Sequence, residues 1–237
     1  MGAGGSVLIQ DGGMVRPAAC LFDLDGLLLD TEPLHAEAWQ QASSHFGRPL
    51  TPAELLALRG RRRHDCADQV RQWISADGAN PAPSRDALLA VRQPIAEALL
   101  VQAAPMPGAP ELVERCGALG IPMALATSSS KAAVALKASP HPWLAAISVR
   151  VHGDDPHLGQ GKPAPDVFLL AAERLGVDAQ HCWAFEDSPA GVQAARAAGC
   201  HVHVLPPNHL NAEQLRALYP GIDRFLVSLA EVIAALQ

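Results

Sequence analysis

The 237-residue sequence predicts an α/β protein, in which a Rossmann-like parallel sheet core carries helices on both faces and an all-helical cap is inserted after the first strand. Short continuous apolar runs, typical of strands buried on both faces, alternate with helical segments from residue 107 onward. Between the first apolar run and residue 107, only helical patterns occur. Strands that alternate with helices form βαβ units, so the sheet is expected to be parallel.

The composition supports a globular protein and argues against several other classes. Apolar residues make up 49% of the chain and charged residues 18%, which is too hydrophobic for disorder. A net charge of −6 argues against nucleic acid as a partner. No apolar run is long enough to span a membrane, and the Gly-rich start lacks the features of a secretory signal. Five cysteines without a CxxC pair predict reduced thiols, so we expect a cytoplasmic protein.

The first part of the chain predicts one strand followed by helices. The strand covers residues 18–22 and ends at two aspartates. Helices are then expected over 33–46, from a capping box at Thr51 and Glu54, over 64–75 and over 85–103. Pro94 should kink the last of these helices or split it in two.

From residue 107 onward, helices and strands alternate. Helices are expected over 110–119, after Ser130, over 167–175 with Asp166 as N-cap, and from Ser188 to Gly199. Strands are expected over 121–126, 146–151, 182–185 and 201–205. The predicted domains are a flexible segment 1–16, an α/β core of residues 17–31 and 107–237, and a helical cap of residues 32–106.

Asp23 and Asp25 lie two residues apart at the end of the first strand, so both carboxylates project to the same side, into the crevice beyond the sheet. Two close carboxylates repel each other unless one is protonated or a cation lies beside them, and hard oxygen ligands suit Mg²⁺. Taken alone, the pair also fits an ordinary acidic loop.

Three further strand ends carry polar groups. Thr127 and Ser128 open a hydroxyl-rich turn that could bind phosphate, although a serine run also caps helices. Lys162, one of only three lysines, lies in a Gly-Lys-Pro segment and can neutralise a phosphoryl group as a point charge. Glu186 and Asp187 fit either a cation site or the cap of a helix. Together, these groups are what phosphoryl transfer requires.

The sequence is similar to the haloacid dehalogenase-like (HAD) hydrolases. Their four motifs appear in order as LFDLDG, ALATSSS, GKPAPD and AFEDSPAG. The resemblance covers nearly the whole chain from Pro17, and the helical insertion stands where one subfamily carries its cap. The sequence most resembles the β-phosphoglucomutase-like branch and, within it, small sugar- and nucleotide-phosphate phosphatases of the pseudouridine-5′-phosphatase kind.

The resemblance implies that Asp23 attacks phosphorus to form an aspartyl-phosphate, and that Asp25 protonates the leaving oxygen and then activates water. It also implies a Mg²⁺ cofactor held by the Asp23 side chain, the backbone carbonyl of Asp25 and Asp187, with Glu186 adjacent or reaching through water. The phosphoryl oxygens would be bound by Thr127, Ser128 and Lys162.

Two enzyme activities are compatible with this resemblance. The acid at Asp25 disfavours dehalogenation. His35 stands where the phosphosugar mutases carry a cap-hinge histidine, but those enzymes also use a cap lysine, and residues 32–106 contain no Lys. We therefore expect a Mg²⁺-dependent phosphatase. Its first candidate substrate is a sugar phosphate, and its second is a nucleotide-type phosphate. A β-phosphoglucomutase-like mutase is the alternative, and a catalytically idle binding or regulatory protein is the alternative outside the enzymes.

Arginines of the cap are the remaining candidates. Arg59 and the run Arg61–Arg63 could reach a substrate phosphate or sugar, and Arg63 aligns best with the cap arginine of the family. A solvated basic turn is the alternative for these arginines, and a helix-surface histidine is the alternative for His35. The expected protein is a monomer whose partner is a small phosphorylated molecule.

Overall fold

The computed structural model describes residues 16–59, 61–76, 83–208, 210–222 and 224–236, so the predicted flexible segment lies, but for Arg16, outside the described residues. Within them, one sheet of five parallel strands is formed by β1 (Ala19–Phe22), β2 (Met123–Ala126), β3 (Val149–Val151), β4 (Cys182–Glu186) and β5 (His201–Val204). The strand order is β3-β2-β1-β4-β5, which places β1 at the centre between β2 and β4. The predicted parallel sheet is confirmed.

The described part of the chain contains the helices α1 (Glu32–His45), α2 (Pro52–Ala57), α3 (Arg63–Ala76), α4 (Arg85–Leu100), α5 (Ala109–Ala118), α6 (Lys131–Ala138), α7 (Asp166–Leu175), α8 (Pro189–Ala197), α9 (Ala212–Leu218) and α10 (Ala230–Ile233). The first four follow β1 and precede α5, so the insertion is helical as predicted, and residues 32–106 are called the cap below. Among the described helices, none combines the length and the apolar character needed to cross a bilayer.

The two faces of β1 pack against different helices because alternate side chains of a strand point in opposite directions. Cys20 and Phe22 belong to an apolar cluster with residues of α5. Ala19 and Leu21 pack on the other face with residues of α7 and α8. All four side chains are fully buried, and helices cover the sheet on both faces.

The cap has an apolar cluster of its own. Trp39 of α1 packs there with Val70 and Ile74 of α3 and with Leu88 of α4. The predicted capping box is present at the start of α2. All five cysteines of the chain are buried free thiols.

Pro94 does not split its helix in two: α4 is continuous through the proline. The proline has no N–H to offer the carbonyl of Ala90, but both residues are exposed, so water can take that carbonyl. On the opposite side, Leu88, Arg92 and Ala96 are buried at a spacing of four residues. Tertiary packing along this face therefore keeps the helix intact.

Asp166 does not cap α7, contrary to prediction. Pro165 occupies the N-cap position without a side-chain hydrogen bond, and Asp166 is the first residue of the helix. Its carboxylate instead accepts the backbone N–H of Gln160 at 3.0 Å, which ties the preceding loop to the helix. The helices α9 and α10 were not predicted from the sequence.

Candidate active site

The carboxyl ends of β1, β2 and β4 lie side by side, and a cavity of about 940 Å³ opens between them and the cap. Asp23, Asp25 and Thr127 line this cavity from the sheet, and His35 and Arg59 line it from the cap. Because parallel strands end at a common crevice, groups from distant parts of the sequence meet here.

Asp23 follows β1 and is held by a lysine. Lys162 Nζ lies 2.5 Å from Asp23 Oδ1 and 2.5 Å from Glu186 Oε1. The backbone N–H of Asp25 donates to Asp23 Oδ2 at 2.8 Å. Burial raises the pKa of Asp23 to about 7, although Lys162 acts in the opposite direction. Burial acts to lower the pKa of Lys162, but the two carboxylates outweigh it and raise that pKa, so the amine stays an ammonium.

Asp187 lies just after β4, in a loop that is fixed from several directions. Arg59 of the cap donates to Asp187 Oδ2 at 2.7 Å and pairs with Glu32 at 3.1 Å. The Tyr219 hydroxyl donates to the backbone carbonyl of Asp187 at 2.5 Å. Gly26 has a φ of 84°, and a Cβ there would lie 2.3 Å from Asp187 Oδ2, so this position requires glycine.

Three carboxylates meet at this point in an arrangement suited to a metal ion. Asp23, Glu186 and Asp187 each offer an oxygen within 4.8 Å of the others. Asp187 Oδ1 is buried without a hydrogen-bond partner, which leaves a lone pair for a cation. Burial raises the pKa of Asp187 to about 6 and also raises that of Glu186. A divalent cation would relieve the repulsion between these charges, and hard oxygen donors fit Mg²⁺.

Glu186 is the most occupied of the three carboxylates. Its Oε1 accepts from Lys162, and its Oε2 accepts from the backbone N–H groups of Asp187 and Ser188 and from the Ser188 hydroxyl. Asp23 and Asp187 therefore keep more lone pairs for a metal. The Asp25 side chain is not part of this cluster. Among the predicted metal ligands, Asp25 is therefore the one that would bind through its backbone carbonyl.

The Asp25 carboxylate is bound by four side chains. Its Oδ1 accepts from Thr31 Oγ1 at 2.7 Å and lies 3.3 Å from His35 Nε2, and its Oδ2 accepts from Ser129 Oγ at 2.7 Å. Lys137 Nζ lies 2.5 Å from both oxygens. Burial acts to raise the pKa of Asp25, but Lys137 and His35 outweigh it and hold that pKa well below its ordinary value. Asp25 is therefore ionised in the resting structure.

A second contact of His35 decides which ring nitrogen carries the proton. Arg92 Nη2 lies 2.9 Å from His35 Nδ1, and because arginine only donates, Nδ1 must accept. The proton of the neutral ring is then on Nε2, which donates to Asp25. Arg92 is buried and lies 4.2 Å over the ring of Trp39. Burial lowers the pKa of His35 and lowers that of Arg92 to about 10.

The hydroxyl-rich turn after β2 serves two purposes. Ser130 caps α6 by accepting the N–H of Ala133 at 3.3 Å. Thr127 is buried and accepts the N–H of Ser129 at 3.1 Å. Thr127 and Ser128 both line the cavity. The helix-capping interpretation therefore applies to Ser130, and the two residues predicted to bind phosphate lie at the wall of the cavity.

The arginines Arg61–Arg63 all line the cavity but differ in their surroundings. Arg61 and Arg63 are exposed, and Arg63 donates to Gln93 Oε1 at 2.7 Å. Arg62 packs against the core: a Cβ at Gly161 would lie 2.0 Å from Arg62 Nε, a buried nitrogen without a hydrogen-bond partner. The structure thus brings Arg62 against the Gly-Lys-Pro segment, while Arg63, which aligns best with the cap arginine of the family, remains a candidate for contact with the substrate.

Several residues of the site escaped prediction from the sequence, among them Lys137, Arg92 and Tyr219. Lys137 lies three residues after Val134 on the buried face of α6, so a lysine on an apolar helix face was an available signal. Arg92 similarly lies four residues after the buried Leu88. Tyr219 gave no local signal, because its contact joins residues 32 positions apart.

Comparison with known proteins agrees with this geometry. Residues 17–199 match the family model of the haloacid dehalogenase-like hydrolases. The chain is 37% identical over 184 residues to the fructose-1-phosphate phosphatase YqaB of Escherichia coli, which covers 78% of this chain and 94% of that protein. It is 36% identical over 200 residues to the probable pseudouridine-5′-phosphatase of Drosophila melanogaster, which covers 82% and 84%.

A solved structure extends the likeness to three dimensions. The crystal structure of CbbY from Rhodobacter sphaeroides in complex with phosphate has a TM-score of 0.75 and 27% identity to this chain. The match covers 93% of this chain and 99% of that one. Core and cap are therefore both part of the likeness.

Proposed function

Because the chain belongs to the haloacid dehalogenase-like hydrolases, we propose that it is a Mg²⁺-dependent phosphatase that hydrolyses a small phosphomonoester through an aspartyl-phosphate intermediate. The observation that carries the proposal is the contact between Asp23 and Lys162, next to the carboxylates of Glu186 and Asp187. A buried carboxylate that is held by an ammonium beside a metal-binding cluster is suited to attack an anionic phosphoryl group.

The reaction has two displacement steps. A carboxylate oxygen of Asp23 attacks phosphorus, the bond from phosphorus to the ester oxygen breaks, and the leaving oxygen takes a proton from Asp25. A water molecule then attacks phosphorus and gives a proton to Asp25, the bond from phosphorus to Asp23 breaks, and inorganic phosphate leaves. The two steps restore both aspartates.

The two aspartates therefore need different charge states. Asp25 is ionised at rest, which suits the second step, in which it accepts a proton from water. The first step requires it to carry a proton, and the negative charge of an arriving phosphoryl group favours that proton. Asp23 is restrained by Lys162 and by the backbone N–H of Asp25, which limits the directions that its carboxylate can face.

Asp23 and Asp187 would hold the Mg²⁺ ion, with the Asp25 carbonyl and Glu186 as the further candidates. Bound there, the ion would neutralise charge on the phosphoryl oxygens. Thr127, Ser128 and Lys162 supply hydroxyl and ammonium donors to the same oxygens. We assign these roles to the residues that the four sequence motifs contribute.

The first candidate for the substrate is a sugar or polyol phosphate, and the second is a nucleotide-type phosphate. The named relatives support this class, since one is a fructose-1-phosphate phosphatase and another a probable pseudouridine-5′-phosphatase. A cavity of about 940 Å³ has room for a sugar or a nucleoside. Its cap wall carries arginines, which favour an anionic or hydroxyl-rich molecule.

A screen of phosphate release tests the proposal. The enzyme is incubated with Mg²⁺ and a panel of about a hundred phosphorylated metabolites, a size that reflects how many substrates one fold accommodates. We expect turnover of a sugar or polyol phosphate, and none with the Asp23→Asn variant. Absence of turnover across the whole panel would contradict a phosphatase and favour a binding or regulatory protein.

A phosphosugar mutase is the second candidate, and one contact favours it. The cap lacks lysine, but Arg92 places a buried cation beside His35, which lies next to Asp25. The absence of lysine is therefore a weaker argument against a mutase than the sequence indicates. Incubation with β-glucose 1-phosphate and a bisphosphate activator separates the two: we expect inorganic phosphate, whereas rapid formation of glucose 6-phosphate with little phosphate would establish the mutase.

A further inference from the structure

Lys137 is a buried cation that the proposed chemistry does not use. Its side chain is fully buried on α6, where it shares the inward face with Val134. A lysine is almost never buried to this degree unless its charge is paired. Its position therefore points to a specific partner rather than to general surface charge.

That partner is Asp25. Lys137 Nζ lies 2.5 Å from both carboxylate oxygens of Asp25 and donates to Ser129 Oγ at 2.8 Å. These contacts account for the three donors of an ammonium. Lys137 is not among the described residues that line the cavity. It therefore contacts the acid/base residue from behind, where a substrate in the cavity would not touch it.

The other partners of Asp25 show why this contact matters. A carboxylate offers about four lone-pair sites. Here they meet two hydroxyls, from Thr31 and Ser129, as well as Lys137 and, at the longest distance of 3.3 Å, His35. To exchange a proton with a substrate or water, Asp25 must release one partner. The histidine is the weakest of them and belongs to the cap, whereas Lys137 and Ser129 belong to the core.

We infer that Lys137 is a positioning residue for Asp25, which holds the carboxylate from the core side at the orientation from which it exchanges protons with the leaving oxygen and with water. The inference rests on the proposed phosphatase function. The two buried lysines divide the work: Lys162 serves the nucleophile Asp23, and Lys137 serves the acid/base Asp25.

The test compares two leaving groups. The K137M variant keeps the length and apolar character of the side chain but removes its charge, and K131M removes an exposed lysine of the same helix as a matched control. Each is assayed with the alkyl phosphate found by the screen and with p-nitrophenyl phosphate, whose leaving group departs without a proton. The ratio kcat/KM reports the steps up to departure of the leaving group.

For K137M we expect kcat/KM with the alkyl phosphate to fall by about 10- to 100-fold, because the variant should lose part of the rate enhancement that general acid catalysis provides. The value with p-nitrophenyl phosphate should change by less than about threefold, because its departure needs no acid. Since water attack still needs Asp25, a burst of nitrophenolate equal to the enzyme concentration should precede a slow steady state. K131M should match the wild type with both substrates.

Equal losses with the two substrates, in proportion to a loss of folded protein, would overturn the inference and leave Lys137 a structural residue. Unchanged kinetics would overturn it as well. Should K137M fail to fold, the S129A variant provides the same test. It removes one donor to Asp25 and one acceptor for Lys137, while the ammonium remains. For S129A we expect the same dependence on the leaving group, with a loss of about tenfold in kcat/KM for the alkyl phosphate. A wild type without turnover on any phosphate would instead refute the proposed function, and this inference with it.

Discussion

The core side and the cap side of the cavity are built in different ways. On the core side, the functional residues come directly after the ends of strands, as is the case for Asp23, Thr127 and Asp187. The parallel sheet brings those strand ends together. On the cap side, the contacts depend on how helices pack: Arg59 reaches across to Asp187, and Arg92 reaches His35 from another helix. The sheet thus fixes the chemical groups, whereas helix packing determines what meets them.

The largest expected effect comes from the core side. Asp23→Asn should keep the fold and reduce turnover by at least about 10⁴-fold, because an amide is not a competent nucleophile. Asp30→Asn, at an exposed aspartate nearby, should leave turnover unchanged. Phosphate release and thermal unfolding of both variants measure this difference. Appreciable turnover by the Asp23 variant would refute the aspartyl-phosphate mechanism.

Removal of the metal should affect the core side almost as strongly. We expect excess chelator to abolish turnover and Mg²⁺ to restore it. Ca²⁺ should restore it poorly, because its larger and more flexible ligand shell misplaces the reacting groups. Full activity in excess chelator would show that the cluster of Asp23, Glu186 and Asp187 does not need a cation.

The contact between Arg59 and Asp187 joins the two sides and gives a smaller effect. In Arg59→Gln the competing guanidinium is gone, so Asp187 is available to a cation and Mg²⁺ should bind about fivefold more tightly, as expected for the loss of one charge pair. Titration calorimetry of the protein without substrate measures this affinity. Arg63→Gln, at an exposed cap arginine, serves as the control and should show no change. A weaker or unchanged affinity in Arg59→Gln would mean that the cap does not act on the metal site.

The smallest effects are expected on the cap side alone. Arg62→Gln should raise KM by roughly fivefold with kcat nearly unchanged, because it removes binding that substrate and transition state share. Arg63→Gln should change KM by less, since its guanidinium is exposed and already pairs with Gln93. Steady-state kinetics on one substrate compares them. The opposite order would restore Arg63 as the cap residue that binds substrate.

The same contrast explains what could be predicted from the sequence. The strand that ends at Asp23 is a continuous apolar run, and the parallel orientation of the strands follows from their alternation with helices, so these features of the core could be predicted. The capping box at Thr51 is a local pattern and was found as well. The general rule that parallel strands end together and the local capping-box pattern were therefore sufficient for these features.

Other local rules were overridden by packing between elements. Of the two outcomes expected at Pro94, a split does not occur, because buried neighbours on the other face of the helix hold it together. Asp166 has the side chain of an N-cap, but it accepts from Gln160 of the preceding loop. Lys137 and Arg92 have partners 112 and 57 residues away, and nothing near them in sequence indicates those partners.

The position of Tyr219 matters for chimeras that join part of this chain to part of a related protein. It lies beyond residue 199, where the family match ends, yet its hydroxyl holds the backbone carbonyl of Asp187. A chimera that joins residues 1–199 of this chain to the last segment of a relative would inherit all four motifs intact. Unless the incoming segment presents an equivalent donor, the loop that carries Asp187 would lose one of its supports. Transfer of the four sequence motifs is therefore not enough to preserve the site, because Tyr219, which supports the Asp187 loop, lies in a segment that contains none of the motifs.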